Sequence, residues 1–285
     1  MDFVIGIILT ITVLATITDL KYKIVPNYLN YFLIIFGLGV GGITALLTNS
    51  FWPIAISLIG AGVFYAIGAL LYYTGIWGGG DAKLLTGYGA TMASFPAIAV
   101  WPFLFSLFIN ILFCGAIIGV IGSGYLMYKH RKSFAKEMRK TLNKLKKIVV
   151  ALYILFIFTV MGFLVTKNLL LLISWALIVL FFYFFLSLKA IEKVCMLRHI
   201  EPKYMQEGDW VLEPVKANGK VVYAPEKQGI SMKDLKKLQN LAAQGKIKTI
   251  TIKEGIQYVP AFLLALILSL LKIDLMFSIF SILMQ

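Results

Sequence analysis

Three acidic residues occur in the first 128 positions of this chain: Asp2, Asp19 and Asp81. Asp2 is terminal. The other two stand at the ends of long apolar runs, where an ionisable side chain is costly and points to function. Asp81 follows three glycines in GIWGGGDAKLL (residues 75–85), and Asp19 lies in TDLKYKIVPNYL (residues 18–29). Two carboxylates brought together in a partly dry site hold one proton between them more readily than two charges. That state suits hydrolysis: one carboxylate takes a proton from water, and the other donates one to a scissile carbonyl. Each acid alone has a plainer reading, Asp81 as a helix N-cap and Asp19 as an interfacial charge beside Lys21 and Lys23. Together they are the only acidic pair available in this part of the chain. Gly78, Gly79 and Gly80 are expected to supply positive φ and, lacking side chains, room for an extended peptide beside Asp81.

The elements that position this pair are membrane helices. Of the 285 residues 60% are hydrophobic, and the mean hydropathy is +0.88. Residues 3–18, 28–48, 51–73 and 102–127 are long apolar runs without strand alternation, so in lipid they must be helices. No basic n-region or small-residue cleavage site precedes Asp19, so the first run reads as a retained helix. Between Asp19 and Asp81 the chain crosses the membrane twice. Two crossings return it to the side it left, which puts both acids on one face.

The fourth helix is expected over residues 81–94, short and glycine-rich for close packing, with a turn at FPAIAVWP before the fifth. Residues 148–166 and 169–188 form a helical hairpin turning at Lys167 and Asn168. From residue 189 the composition becomes that of a small α+β module. WVLEPVKANGKVVYAP reads as two strands turning at Asn218 and Gly219. Ser231 with Asp234 makes a capping box for a helix that stops at Gly245, and KIKTITIKEG alternates as a third strand. The fold class is therefore a polytopic α-helical membrane protein, with about eight spans (range six to eight) and a small module before the last helix. Its expected layout is 1–128 as the core carrying both aspartates, 129–147 as a basic segment and 148–188 as a hairpin. Residues 189–257 form the module, and 258–285 form the last helix with a tail at the outer interface.

The formal net charge is +14, with nine Lys and Arg between Lys129 and Lys147. With the N-terminus outside, this run, Lys21 and Lys23 all fall on the cytoplasmic side, as the positive-inside rule requires, and Lys167 and Lys272 fall outside. The basic run reads as a topology anchor touching anionic headgroups. No aromatic platform accompanies it, so no nucleic-acid partner is expected. Cys114 and Cys195 are isolated, as are His130 and His199, and no metal site is expected. Cys114 reads as packing among helices.

The motifs then resemble a known family. GGGD (Gly78 to Asp81) followed by AKLL fits a GxGD motif, and the stretch D-x-x-x-x-x-x-P-N (Asp19 to Asn27) is similar to that around the first catalytic aspartate of type IV prepilin peptidases. The chain resembles archaeal members of the prepilin/preflagellin peptidase family, the GxGD membrane aspartyl proteases. The catalytic resemblance covers residues 1–128, with a softer match at EGIQYVPAFLLAL. It implies a cell-membrane endopeptidase that removes a short basic leader from type IV pilin-like precursors at the cytoplasmic face, with preflagellin (archaellin) processing as the alternative substrate. Asp19 and Asp81 would be the catalytic pair, and Gly78 and Gly80 the motif glycines. Lys83 would be supporting, and Pro26 with Asn27 would stop one helix and start the next, Asn27 acting as the cap. No cofactor is implied. The chain lacks the Cys-x-x-Cys insertion and the glycine-rich cofactor loop of relatives that also methylate, so peptidase activity without methyl transfer is expected. A Tyr-Asp pair and Pro-Ala-Leu, both typical of presenilin-like relatives, are absent too: Thr18 precedes Asp19, and Phe262 follows Pro260 and Ala261. Two rival classes remain, an ion- or proton-coupled transporter using the same two acids and a membrane scaffold whose module binds a partner.

Overall fold

The computed structural model describes residues 2–93, 100–217, 219–226 and 229–275. It opens with three long helices, α1 (Asp2–Tyr22), α2 (Asn27–Leu47) and α3 (Trp52–Tyr73), then a short α4 (Gly79–Met92) and a long α5 (Val100–Lys129). The helices α6 (Arg131–Lys144), α7 (Lys146–Thr166) and α8 (Leu170–Val194) follow. Strands β1 (Leu197–Ile200), β2 (Trp210–Val211), β3 (Val215–Ala217) and β4 (Lys220–Tyr223) lead to α9 (Met232–Ala243), β5 (Ile250–Lys253) and α10 (Val259–Leu270).

Among the described residues six helices are long and apolar enough to cross a membrane: those spanning Phe3–Tyr22, Asn27–Leu47, Trp52–Tyr73, Phe103–Lys129, Lys146–Thr166 and Leu170–Val194. The chain is a multi-pass membrane protein. The two remaining apolar helices are short. α4 has 14 residues and α10 has 12.

The chain divides into two compact units. The first holds residues 1–120, 201–250 and 256–285, and the second holds residues 121–200 and 251–255. In the first unit α4 is the buried centre. Leu84 through Met92 are all buried, and α2 and α3 pack along them. Glycines allow that approach. A Cβ on Gly37 would lie 2.6 Å from the α4 backbone at Ala90, and one on Gly68 would lie 2.9 Å from the Ala82 carbonyl. Small residues at helix crossings let backbones meet, as membrane helices prefer. The core continues through Ile8, Leu33, Phe64, Tyr88, Leu107 and Phe262, and Cys114 packs within it as expected. Some buried polar groups in this core are partnered across helices: the Thr12 and Tyr88 hydroxyls meet at 2.8 Å, and Asn110 donates to Ser269 at 2.9 Å.

The same unit carries a hairpin in which β3 pairs antiparallel with β4, Ala217 opposite Lys220, beside the cap-started α9. Gly219 has φ of 76°, as a tight turn requires, while Asn218 lies outside the described residues. The first expected strand is in fact broken. β2 ends at Val211 and β3 starts at Val215, with Pro214, which has no N–H for a ladder, between them. Ser231 accepts from the Asp234 N–H at 3.2 Å and α9 gives way to Gly245 in the left-handed region, both as expected.

In the second unit the basic segment is itself a helix. Glu137 of α6 is paired with Lys193 of α8, which holds the Glu137 carboxyl below its ordinary range. Helix α7 has no buried residue. Val165 is 83% exposed and Phe158 is 65% exposed, an apolar surface that water would not tolerate and lipid covers. Trp175 caps the hairpin internally, its indole N–H donating to the Leu152 carbonyl at 3.1 Å. Strand β1, which the pattern of residues did not reveal, pairs with β5. The turn expected at FPAIAVWP falls largely outside the described residues, as does the tail beyond residue 275.

Candidate active site

Asp19 lies one turn from the end of α1. The helix stops when Lys23 takes φ of 59°, its N–H donating to the Asp19 carbonyl at 2.8 Å, a left-handed C-terminal closure. Asp19 is only 7% exposed. Its Oδ2 accepts from the backbone N–H of Val259 at 3.1 Å, and Lys23 supplies the nearby positive charge. Val259 is the first residue of α10. Its N–H has no carbonyl within its own helix, so the Asp19 carboxylate caps α10 from across the bundle, where the helix dipole favours a negative group.

Asp81 is the third residue of α4. Its Oδ2 accepts from the N–H of Gly78 at 3.1 Å, and the Gly78 carbonyl accepts from Ala82 at 3.2 Å, so the first turn closes on itself. Asp81 is half-buried. The two carboxylates lie close enough for their charges to interact. Asp19 and Asp81 thus come together from different helices.

The glycines behave differently from expectation. Gly78 is extended, with φ of −74° and ψ of 158°, and Gly79 and Gly80 are helical. Positive φ falls instead on Gly75, at 74°. What Gly80 provides is close approach: a Cβ there would sit 3.0 Å from the Val25 side chain, so the α1–α2 turn presses against the start of α4. At Gly78 a Cβ would lie 3.2 Å from Asp81 Oδ2. Glycine at this position therefore leaves room for the carboxylate that its own N–H binds.

The supporting residues of the two motifs also meet. Lys83 Nζ donates to Asn27 Oδ1 at 2.7 Å and lies 5.7 Å from the centre of the Tyr31 ring. Pro26, not Asn27, is the residue that precedes the first turn of α2, and it has no side chain to cap with. Asn27 is already helical, and its side-chain oxygen is used by Lys83.

Further groups had no part in the sequence reading. Asn30, wholly buried on α2, donates to the Gly80 carbonyl at 3.4 Å, and its Oδ1 has no partner. An amide one turn into an otherwise apolar helix could have flagged it. Trp77, just before the glycines, packs against Tyr258 and Phe262 with ring centres 5.2 and 5.4 Å apart. Nothing in the local sequence links Trp77 to residues so distant along the chain.

A bundle of membrane helices that joins two acids from separate helices defines a class of polytopic membrane protein with a candidate acid–base centre. Residues 6–120, which contain both motifs, match the model of the type IV leader peptidase family. The chain is similar to a prepilin peptidase, EppA, of Methanothermobacter thermautotrophicus, at 25% identity over 53% of this chain and 43% of the relative. It is also similar to a preflagellin peptidase of Methanococcus voltae, at 30% identity over 49% of this chain and 60% of the relative. A preflagellin peptidase of Methanocaldococcus jannaschii is 30% identical over 33% of this chain and 39% of its own length. The chain thus spans less than two thirds of the length of each curated relative it matches. No solved structure matches it.

Proposed function

We propose that this protein is an aspartic endopeptidase of the GxGD class, with Asp19 and Asp81 as its catalytic pair. It removes the short basic leader of type IV pilin-like precursors at the cytoplasmic face of the cell membrane. The observation that carries this reading is that Asp19 and Asp81, held on α1 and α4, lie within electrostatic range of each other inside the segment that matches the leader peptidase family. Water bonds to the scissile carbonyl carbon and gives its proton to the ionised carboxylate. The protonated partner delivers its proton to the carbonyl oxygen. Collapse of the tetrahedral adduct breaks the C–N bond, and a proton passes to the leaving amine. No cofactor enters these steps, and methyl transfer is not part of the activity.

Lys83 and Asn27 pin the first turns of α4 and α2 to each other, Gly78 leaves room for the Asp81 carboxylate, and Gly80 lets Val25 close against the start of α4. Residues 1–128 form the catalytic region. The basic stretch 129–147 lies against the cytoplasmic surface, 148–188 spans as a hairpin, 189–257 is the cytoplasmic module and 258–285 holds the last helix. Processing of preflagellin by the same chemistry is the second reading, favoured by the names of two relatives. The test is co-expression with a pilin precursor or a preflagellin, following the size of each. Cleavage of one and not the other assigns the substrate. Cleavage of neither by a membrane-inserted wild-type chain removes the peptidase reading.

A further inference from the structure

The segment that matches the leader peptidase family ends at residue 120, yet the group that holds Asp19 lies at residue 259. The first turn of α10 has few donors. Pro260 has none, the Ala261 N–H turns back to the Tyr258 carbonyl at 2.9 Å, and the Val259 N–H goes to Asp19. One residue earlier, Tyr258 reaches the other carboxylate's support. Its ring packs on Trp77, which adjoins the Gly78 that donates to Asp81, and its hydroxyl lies within the electrostatic reach of Asp81. The Tyr258 hydroxyl is itself fixed, donating to the Ile111 carbonyl of α5 at 3.2 Å. Across from it is Gly115, where a Cβ would overlap the Tyr258 ring. Adjacent residues of one turn therefore touch the supports of both acids.

We propose that Tyr258 and Val259 are positioning residues which set the spacing of the Asp19 and Asp81 carboxylates, making α10 a necessary part of the catalytic site. The proposal rests on the peptidase reading above. Spacing matters here because one water and one carbonyl must fit between the two acids, and misplacement by about 1 Å costs on the order of 100-fold in rate. Asp19 then serves α10 as a cap while α10 serves Asp19 as a clamp. Without Val259, the carboxylate would be free to swing toward Lys23.

The full chain in lipid nanodiscs gives two independent readouts. The first is hydrogen exchange at the Val259 amide. Asp19→Ala removes its only acceptor and should speed exchange about tenfold, the effect of losing a bond to a charged group. Asp19→Asn keeps an acceptor oxygen and should leave exchange close to wild type while lowering cleavage by about 10²–10⁴-fold. The second is the kinetics of precursor cleavage. Tyr258→Ala and Gly115→Ala should each lower kcat by about 100-fold with KM unchanged, whereas Tyr258→Phe, which keeps the ring against Trp77, should restore most of the rate. Unchanged Val259 exchange in Asp19→Ala overturns the clamp. Wild-type kcat in Tyr258→Ala, or a KM effect in place of a kcat effect, overturns the positioning role. A wild-type chain that cleaves no precursor, but whose Val259 exchange still responds to Asp19→Ala, removes the peptidase reading and leaves α10 clamping an acid of other use.

Discussion

Lys83 Nζ donates to Asn27 Oδ1 at 2.7 Å, joining the residue two past the second aspartate to the residue eight past the first. The two motifs are thereby one piece of structure. The pair is exposed, so its contribution to stability should be about 1 kcal/mol or less. Its value lies in register between α2 and α4. Lys83→Met and Asn27→Ala should each slow precursor cleavage several-fold without abolishing it. The double variant should be no slower than the worse single one, because partners in one bond do not add. A double-mutant cycle on cleavage rates checks this, and full additivity would separate the two residues.

Removing either acid should have a far larger effect. Asp19→Asn and Asp81→Asn keep volume and some hydrogen bonding, but neither can accept or donate the proton. Cleavage should fall by about 10²–10⁴-fold in each, the usual range for losing a general acid or base. The double variant should fall little further, since the two act as a unit. Precursor size on a gel, with membrane insertion verified, measures it. Trimming at the wild-type rate by either single variant would leave that acid with the plainer role of a cap.

The helices and both acids were legible because apolar runs and scarce carboxylates are strong signals in a chain of this composition. That the two acids converge agrees with the two helices between them, α2 and α3. The capping of α9 by Ser231 was readable for the same local reason. Less visible was everything carried by backbone. Val259 reaches Asp19 through an N–H that any residue but proline possesses, 240 positions away, so no side-chain pattern could announce it. The glycines misled in a specific way: their sequence fits both a flexible loop and a tight helix start, and only the approach of Val25 to Gly80 separates these. Pro26 took the place foreseen for Asn27, and the asparagine oxygen instead accepts from Lys83, a partner beyond the reach of local rules.

Two glycines two residues apart on α3, and so on opposite faces of the helix, should respond oppositely to the same change. A Cβ on Gly60 would meet the Gly89 backbone and Ala93 Cβ, whereas one on Gly62 meets nothing within 4 Å. Gly60→Ala forces α3 from α4 and should cost about 1–3 kcal/mol, the price of overpacking. Gly62→Ala gains helix propensity and should be neutral or stabilising by up to about 1 kcal/mol. Thermal denaturation in matched detergent separates them. Equal effects would mean that the backbone crossing at Gly60 and Gly89 is not a tight contact in solution.

The cap of α9 offers a test away from the acids. Ser231 Oγ accepts from the Asp234 N–H at 3.2 Å and donates to the Asp234 carboxylate at 2.7 Å, so one hydroxyl serves both ends of the box. Leu235 and Leu238 are buried behind it. Ser231→Ala should therefore loosen the first turn by about 1 kcal/mol, and the buried leucines should hold the rest of the helix. Hydrogen exchange in the full chain should accelerate roughly fivefold at the amides of the first turn, with little change at the buried centre of α9. Acceleration spread evenly through α9 would mean instead that the cap, and not the buried face, is what keeps this helix folded.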